Sequence, residues 1–223
     1  MNFVKLILLT IPFYVISDEI ISIPKAKAQF NIDKNYTNFE HHKQKVKDYY
    51  EHQYHNDLQE ICQNALLYFL SIKRPENAVI IFDVDDTVMS HYHFYKEKNF
   101  EWTVKEIHAR HHQLQSKAIK PILEFYIQLI KNKFKIIFIT ARRSCLKKAT
   151  YQNLIQEGYT NFEDLILFPI ELRDKGVKAP VWKANTREEV SKKYNIIGSF
   201  SDLQEDFEGG HTGKCFKLPN YLY

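Results

Sequence analysis

A chain of 223 residues, 44% apolar and 26% charged, holds enough material for one globular domain with small decorations. A mean hydropathy of −0.42, with no apolar run approaching the roughly 18 residues of a membrane helix, excludes a polytopic membrane protein. Six Gly and seven Pro exclude collagen-like or low-complexity character, and 14% aromatic residues exclude wholesale disorder. A formal charge of +4 (31 basic against 27 acidic residues) is too small to indicate a nucleic-acid partner.

The chain opens with Lys5 followed by the apolar stretch Leu6–Ile16, the pattern of a secretory signal peptide and too short to span a bilayer. Small residues after the apolar core place cleavage at Ser17, and Ala26-Lys-Ala28 places it at the end of a longer leader; both remain open. The leader thus occupies residues 1–28. The alternative is a buried amino-terminal helix or strand. Export implies a periplasmic or secreted protein with no membrane attachment in its mature form. Cys62, Cys145 and Cys215 then sit in an oxidising compartment with at least one thiol unpaired.

A helical pattern runs from about residue 35 to 75, with Asp57 and Glu60 spaced as a capping box and Leu58, Ile61, Cys62, Ala65 and Phe69 on one face. Ala78–Asp83 is then a continuous apolar run ending in a carboxylate, as in a buried parallel strand. Further strand-like runs are Phe134–Thr140, Asp164–Phe168, Tyr194–Ile197 and Cys215–Leu218. Between them lie helical patterns. Pro121 opens one with Ile122, Phe125, Tyr126, Leu129 and Ile130 on a single face, a second runs from Ser144 to a stop at Gly158, and a short polar one covers residues 184–193. Strands alternating with helices predict an open, mostly parallel α/β sheet with its site at the carboxyl ends of the strands.

Chemistry-bearing residues stand at those ends. The first run closes on Asp83-Val-Asp85-Asp86-Thr87. Like charges so close raise one another's pKa, and a hard divalent cation such as Mg²⁺ relieves them. The second run closes on Thr140-Ala141-Arg142, a hydroxyl and amide donors before a helix, which suit an anion. Lys183 follows as a cation opening the polar helix, and Asp202 lies beyond the fourth run. Each element alone reads equally well as a cap, a turn or a solvated surface charge. Their order on one α/β pattern is the discriminating feature.

That ordered set resembles the haloacid dehalogenase (HAD) superfamily, and within it subfamily IIIB, which holds bacterial class B and related acid phosphatases and plant vegetative storage proteins. The resemblance runs from about Asp48 onward through Phe82–Thr87, Phe138–Arg142, Trp182-Lys183, and a tail, Phe207–His211 with Phe216–Asn220, that has no derivable catalytic role. It implies a Rossmann-like three-layer α/β sandwich over residues 35–223, with amino-terminal helices and a small helical cap inserted at 88–118. It implies an Mg²⁺-dependent acid phosphatase acting on small phosphomonoesters, such as a nucleotide or an aryl phosphate, and leaves a homo-oligomer open. Asp83 would be the nucleophile and Asp85 the general acid. Thr140 and the amide of Ala141 would hold phosphoryl oxygens, and Lys183 would offset their charge. Asp83, the backbone carbonyl of Asp85 and Asp202 would bind Mg²⁺. Asp86 and Thr87 would order the loop.

The family's fourth motif reads Gly-Asp, three residues, Asp. Gly198-Ser199-Phe200-Ser201-Asp202 reads as one residue short, with Ser in place of the usual first Asp. Two outcomes follow: Asp202 moves forward as the ligand, or metal affinity is lost and the protein becomes a catalytically weak binding or storage protein. The same residues would also support phosphate transfer to an alcohol. In the cap, the aromatics around His91–Tyr95 with Trp102 either sandwich a substrate ring or pack against the amino-terminal helices. His108, His111 and His112 sit at helical spacing and read as solvated helix surface, the alternative being a metal held by His108 and His112 at i, i+4. Glu40–His42 likewise read as wet surface, and Cys145 as a buried thiol or else a redox-sensitive one.

Overall fold

The computed structural model describes residues 20–22 and 36–222; the expected leader lies outside them except for Ile20–Ser22. In chain order the elements are β1 (Ile20–Ser22), α1 (Tyr36–His52), α2 (Tyr54–Ser71), β2 (Ala78–Phe82), β3 (Met89–Ser90), α3 (Tyr92–Glu97), β4 (Glu101–Thr103), α4 (Val104–His112) and β5 (Lys117–Ala118). Next come α5 (Lys120–Lys131), β6 (Lys135–Arg143), α6 (Lys147–Gln156), β7 (Asp164–Phe168), α7 (Ile170–Asp174), α8 (Ala179–Ser191), β8 (Asn195–Ser201) and β9 (Lys214–Lys217).

Five strands form one parallel sheet in the order β7-β6-β2-β8-β9. Alternation along each strand sends residues to opposite faces, and both faces are covered. Ile80, Phe82, Ile136, Phe138 and Phe200 meet the apolar stripe of α2 (Leu58, Cys62, Ala65, Phe69) and that of α5 (Ile122, Phe125, Leu129). Val79, Ile81, Ile137 and Ile139 meet Trp182 and Val190 of α8. The result is a three-layer α/β sandwich.

Across the sheet, Phe82, Phe200 and Phe216 stand in register on adjacent strands. Their rings stack at 4.5 and 4.6 Å between centroids. Gly198 is required beside this stack, since a Cβ there would lie 2.6 Å from the Phe69 ring.

The chain winds from β2 toward β6 and β7, then returns to lay β8 and β9 on the other side. The strand order reverses at β2, and the crevice opens at the ends of β2 and β8. Between β2 and α5, a two-residue antiparallel ladder joins β3 to β5 and closes the base of the segment that carries α3, β4 and α4. Ile20–Ser22 pairs antiparallel with β4.

Some local expectations are corrected. Asp57 and Glu60 do not cap a helix, because α2 begins at Tyr54 with no side-chain cap; Asp57 instead accepts bonds from Tyr49 and Gln53. The polar helix starts at Ala179, with Pro180 in its first turn, so Lys183 lies one turn inside it. Cys145 is exposed, and none of the three cysteines is paired.

Candidate active site

Asp83 closes β2, its backbone N–H donating to the carbonyl of Phe200 at 3.0 Å. Lys183 reaches across from α8 and donates to Asp83 Oδ1 at 2.7 Å and to Asp206 Oδ2 at 2.6 Å. Ser201 donates to the same oxygen of Asp206 at 2.5 Å. Asp202, the residue after β8, accepts from Thr87 Oγ1 at 2.9 Å and from Asn220 Nδ2 at 2.6 Å. All of these side chains are buried or nearly so.

Asp202 and Asp206 correct the reading of the fourth motif. β8 does not end at Ile197 but continues to Ser201. Ser199 lies inside the strand with its hydroxyl donated to the carbonyl of Thr212 at 2.7 Å. The carboxylate after the strand is therefore Asp202, and three residues separate it from Asp206. The motif is complete with Ser201 in the Gly position. Asp206 was legible from this spacing once the strand end was placed correctly.

Asp83 and Asp206 share the Lys183 ammonium, and a third buried carboxylate, Asp202, lines the same pocket. Burial pushes Asp83 well above the usual carboxylate range; Lys183 opposes the shift, while Asp206, Asp202 and Asp85 add to it. Asp202 is pushed up to about 6, first by burial and then by Asp86, against the bonds from Asn220 and Thr87. For Lys183 burial works against the charge, but Asp206 and Asp83 outweigh it and hold the ammonium above its ordinary value. Asp83, Asp202 and Asp206 all offer oxygen to one pocket with a single ammonium among them, and oxygen ligands of this kind suit a hard divalent cation.

Asp85 has a different environment. Arg142 holds it with a two-pronged grip, Nε at 3.0 and 3.1 Å from the two carboxylate oxygens and Nη2 at 2.6 Å from Oδ1. Burial presses this carboxyl upward, but the guanidinium outweighs burial, helped by His111 and His91, and holds it well below the usual range. A carboxyl held this way is a poor proton donor until the grip is released. Thr140 is wholly buried, and its Oγ1 accepts the Arg142 amide at 3.2 Å. The β6–β7 register shifts between Thr140 and Arg143, which lifts Ala141 and Arg142 out of the ladder at the mouth of the site.

Asp83, Asp85, Ala141, Lys183, Asp202 and Asp206 line one pocket. Of the expected site residues only Thr140 lies beneath its surface. The cap aromatics are not in it. Tyr92 stacks on Tyr50 of α1 at 4.6 Å, Tyr95 stacks on Trp102 at 4.9 Å, and Tyr92, Phe94 and Tyr95 are buried, so these rings pack. His111 is also not solvated: it is buried, with its Nε2 3.1 Å from that of His91.

The tail has a supporting role the sequence did not disclose. Asn220 bonds Asp202, and Leu218 donates its amide to Ser201. Arg187 of α8 donates to the carbonyls of Asp206, Glu208 and Gly210, tying the loop that carries Asp206 to the helix that carries Lys183. Gly209, at φ +78°, sits where a Cβ would lie 2.5 Å from that of Ala184.

Comparison with known proteins agrees with this geometry. Residues 20–223 match the family model of the HAD superfamily, subfamily IIIB (acid phosphatase). The chain is 31% identical to vegetative storage protein 2 of Arabidopsis thaliana over 79% of its own length and 71% of the relative's. It is 29% identical to acid phosphatase 1 of Solanum lycopersicum, over 65% of this chain and 58% of that one. The class C acid phosphatase of Bacillus anthracis shares the fold, with a TM-score of 0.65 and 17% identity, covering 82% of this chain and 86% of the other. With the family model spanning nearly the whole chain, the protein belongs to subfamily IIIB of the HAD superfamily and is an acid phosphatase, a phosphomonoesterase.

Proposed function

We propose that the protein hydrolyses small phosphomonoesters with Mg²⁺ through an aspartyl-phosphate on Asp83. The observation that carries this reading is the buried Asp83–Lys183–Asp206 bridge beside Asp202, which gathers a nucleophile, a cation and surplus carboxylates in one pocket. Asp83, the backbone carbonyl of Asp85, and Asp202 with Asp206 would hold the ion. Bound there, Mg²⁺ supplies positive charge against the carboxylates and the phosphoryl oxygens.

A carboxylate oxygen of Asp83 attacks phosphorus, the bond from phosphorus to the ester oxygen breaks, and Asp85 gives its proton to the departing alkoxide. Asp85, now a base, takes a proton from water as that water attacks phosphorus, and the Asp83–phosphate bond breaks to release inorganic phosphate. Lys183 offsets charge on the transferring group, and the amide of Ala141, which lines the pocket above the buried Thr140, would hold a phosphoryl oxygen. Arg142 links binding to protonation. A phosphoryl dianion at the pocket competes for the guanidinium, and once Arg142 turns to it, burial acts on Asp85 against only His111 and His91 and favours the proton it must donate.

The chain's resemblance to storage proteins fits a weak-enzyme reading, but the missing-ligand argument for that reading falls with the complete Asp202–Asp206 motif. The test is hydrolysis of an aryl phosphate with and without Mg²⁺, beside Asp83→Asn. Mg²⁺-dependent turnover that vanishes in the variant supports the reading. Equal, negligible turnover of two folded proteins overturns it. Export through the 1–28 leader belongs to the same proposal, and amino-terminal sequencing of secreted material tests it: a start after residue 17 keeps the β1–β4 pairing, and a start after residue 28 removes it.

A further inference from the structure

On the cap side of the pocket, three ligand-type atoms converge without serving the Mg²⁺ pocket. Asp85 Oδ1 lies 3.4 Å from His91 Nε2 and 3.4 Å from His111 Nε2, and the two imidazole nitrogens are 3.1 Å apart. A tetrahedral ion with ligand bonds of about 2.0–2.1 Å separates its ligand atoms by about 3.3 Å. An octahedral Mg²⁺ at similar bond lengths would bring neighbours to about 2.9 Å. The observed triangle matches the tetrahedral edge.

Both rings are buried and both aim the same nitrogen at one point. At most one proton can sit between two nitrogens at this distance, whereas a cation takes a lone pair from each. Behind His91, Asp86 accepts its amide at 2.8 Å and places Oδ2 3.4 Å from Nδ1. A carboxylate at Nδ1 favours the tautomer that leaves Nε2 free to ligate. His111 Nδ1 is buried without a hydrogen-bond partner. Asp85 is the part-exposed member and opens onto the pocket, giving an ion its way in. Arg142 donates to the same Oδ1, from Nε at 3.0 Å and Nη2 at 2.6 Å, so an ion shares that oxygen with the guanidinium and is weakened by its repulsion, which Asp86 offsets.

We propose that Asp85, His91 and His111 form a three-ligand site for Zn²⁺ or an ion of its class, separate from the Mg²⁺ pocket and with a fourth position open. His91 immediately precedes α3 and His111 lies in the last turn of α4, so the ion pins the cap to the loop that carries Asp85. Occupancy also removes Asp85 from proton transfer and inhibits the phosphatase. That consequence rests on Asp85 being the proton donor; the binding does not.

The test is metal binding to the full chain, freed of metal by a chelator and kept in excess Mg²⁺ so that the carboxylate pocket is filled. Co²⁺ should bind with the intense visible bands of four-coordination, and Zn²⁺ should displace it at one equivalent. His111→Gln should weaken Zn²⁺ binding by at least about a hundredfold, since loss of mere supporting partners already costs ten- to a hundredfold. The double variant His108→Gln, His112→Gln, which removes the neighbouring pair one turn apart on α4, should bind as the wild type does. Weak six-coordinate bands from the wild-type chain would overturn the proposal whether or not the variants fold. So would Zn²⁺ affinity that survives His111→Gln and falls in the double variant. No substrate enters these readouts, so their failure is distinct from failure of the phosphatase mechanism.

Discussion

Arg142 donates to Asp85 from both Nε and Nη2, so the residue expected to give a proton is held in its charged form by the strongest side-chain geometry available for a carboxylate. Lysine keeps the charge but cannot fork. Arg142→Lys should lower activity at its optimum by about tenfold or more, and should move the alkaline limb of the kcat/KM profile to higher pH as Asp85 loses its restraint. A profile that falls in height but does not move would make Arg142 a structural tie only.

The gathering of Asp83, Asp202 and Asp206 in one pocket, with the Lys183 ammonium bonded to only two of them, predicts a divergence between activity and stability. Asp83→Asn should abolish turnover and yet raise the metal-free Tm, by about 2–4 °C for each kcal/mol of repulsion removed in a chain of this size. Calorimetry in chelator measures it. A lower Tm would mean that the Asp83–Lys183 pair outweighs the repulsion and that the carboxylates are not in excess.

Asp202, raised from an ordinary 3.8 to about 6, sets a pH window for metal binding. A raised carboxyl favours the folded state when protonated, so its stabilisation is complete below pH 3.8 and is lost as pH rises through about 6. Mg²⁺ competes with that proton. The rise in Tm on adding Mg²⁺ should therefore be larger at pH 7 than at pH 5, and Asp202→Asn should remove most of it. The bare Tm is not the readout. His108 and His111, lowered by burial to about 4 and about 3, take up protons on unfolding and act in the opposite sense over the same range. An Mg²⁺ increment independent of pH would count against Asp202 as a ligand.

The stack of Phe82, Phe200 and Phe216 offers a control away from the chemistry. Phe200 is in contact with rings on both neighbouring strands and is almost wholly buried. Phe200→Ala should cost about 3–5 kcal/mol by urea unfolding, with little change in KM for whatever fraction stays folded. A cost below about 1 kcal/mol would mean that the sheet collapses readily into the space.

The strands were legible because a sheet buried on both faces writes itself as continuous apolar runs, and all five appeared within a few residues of their observed ends. Asp83, Asp85 and Thr140 follow from their positions at those ends, and Lys183 from its place in the polar helix before β8. The errors arose where a boundary carried the argument. A fourth run ended at Ile197, when β8 continues to Ser201, leaves Asp206 out of the motif and makes the motif look defective. His111 was misjudged because α4 is amphipathic in an unusual sense, its buried face presenting an imidazole to Asp85 rather than a hydrocarbon. Asn220 and Arg187 act through contacts between segments distant in the chain, which no local pattern records.

The hydrogen bond between Thr87 and Asp202 spans 115 positions of the chain. The strand that ends at Asp83 is made first among the five, yet it ends in the middle of the sheet, and Lys183, Asp202, Asp206 and Asn220 all emerge later. A chain still on the ribosome thus displays Asp83 with none of its partners. Activity arrives in a single step, when the late strands and the tail close around the first one, and a truncated or incompletely folded product has no route to partial phosphatase activity in the compartment where it is made.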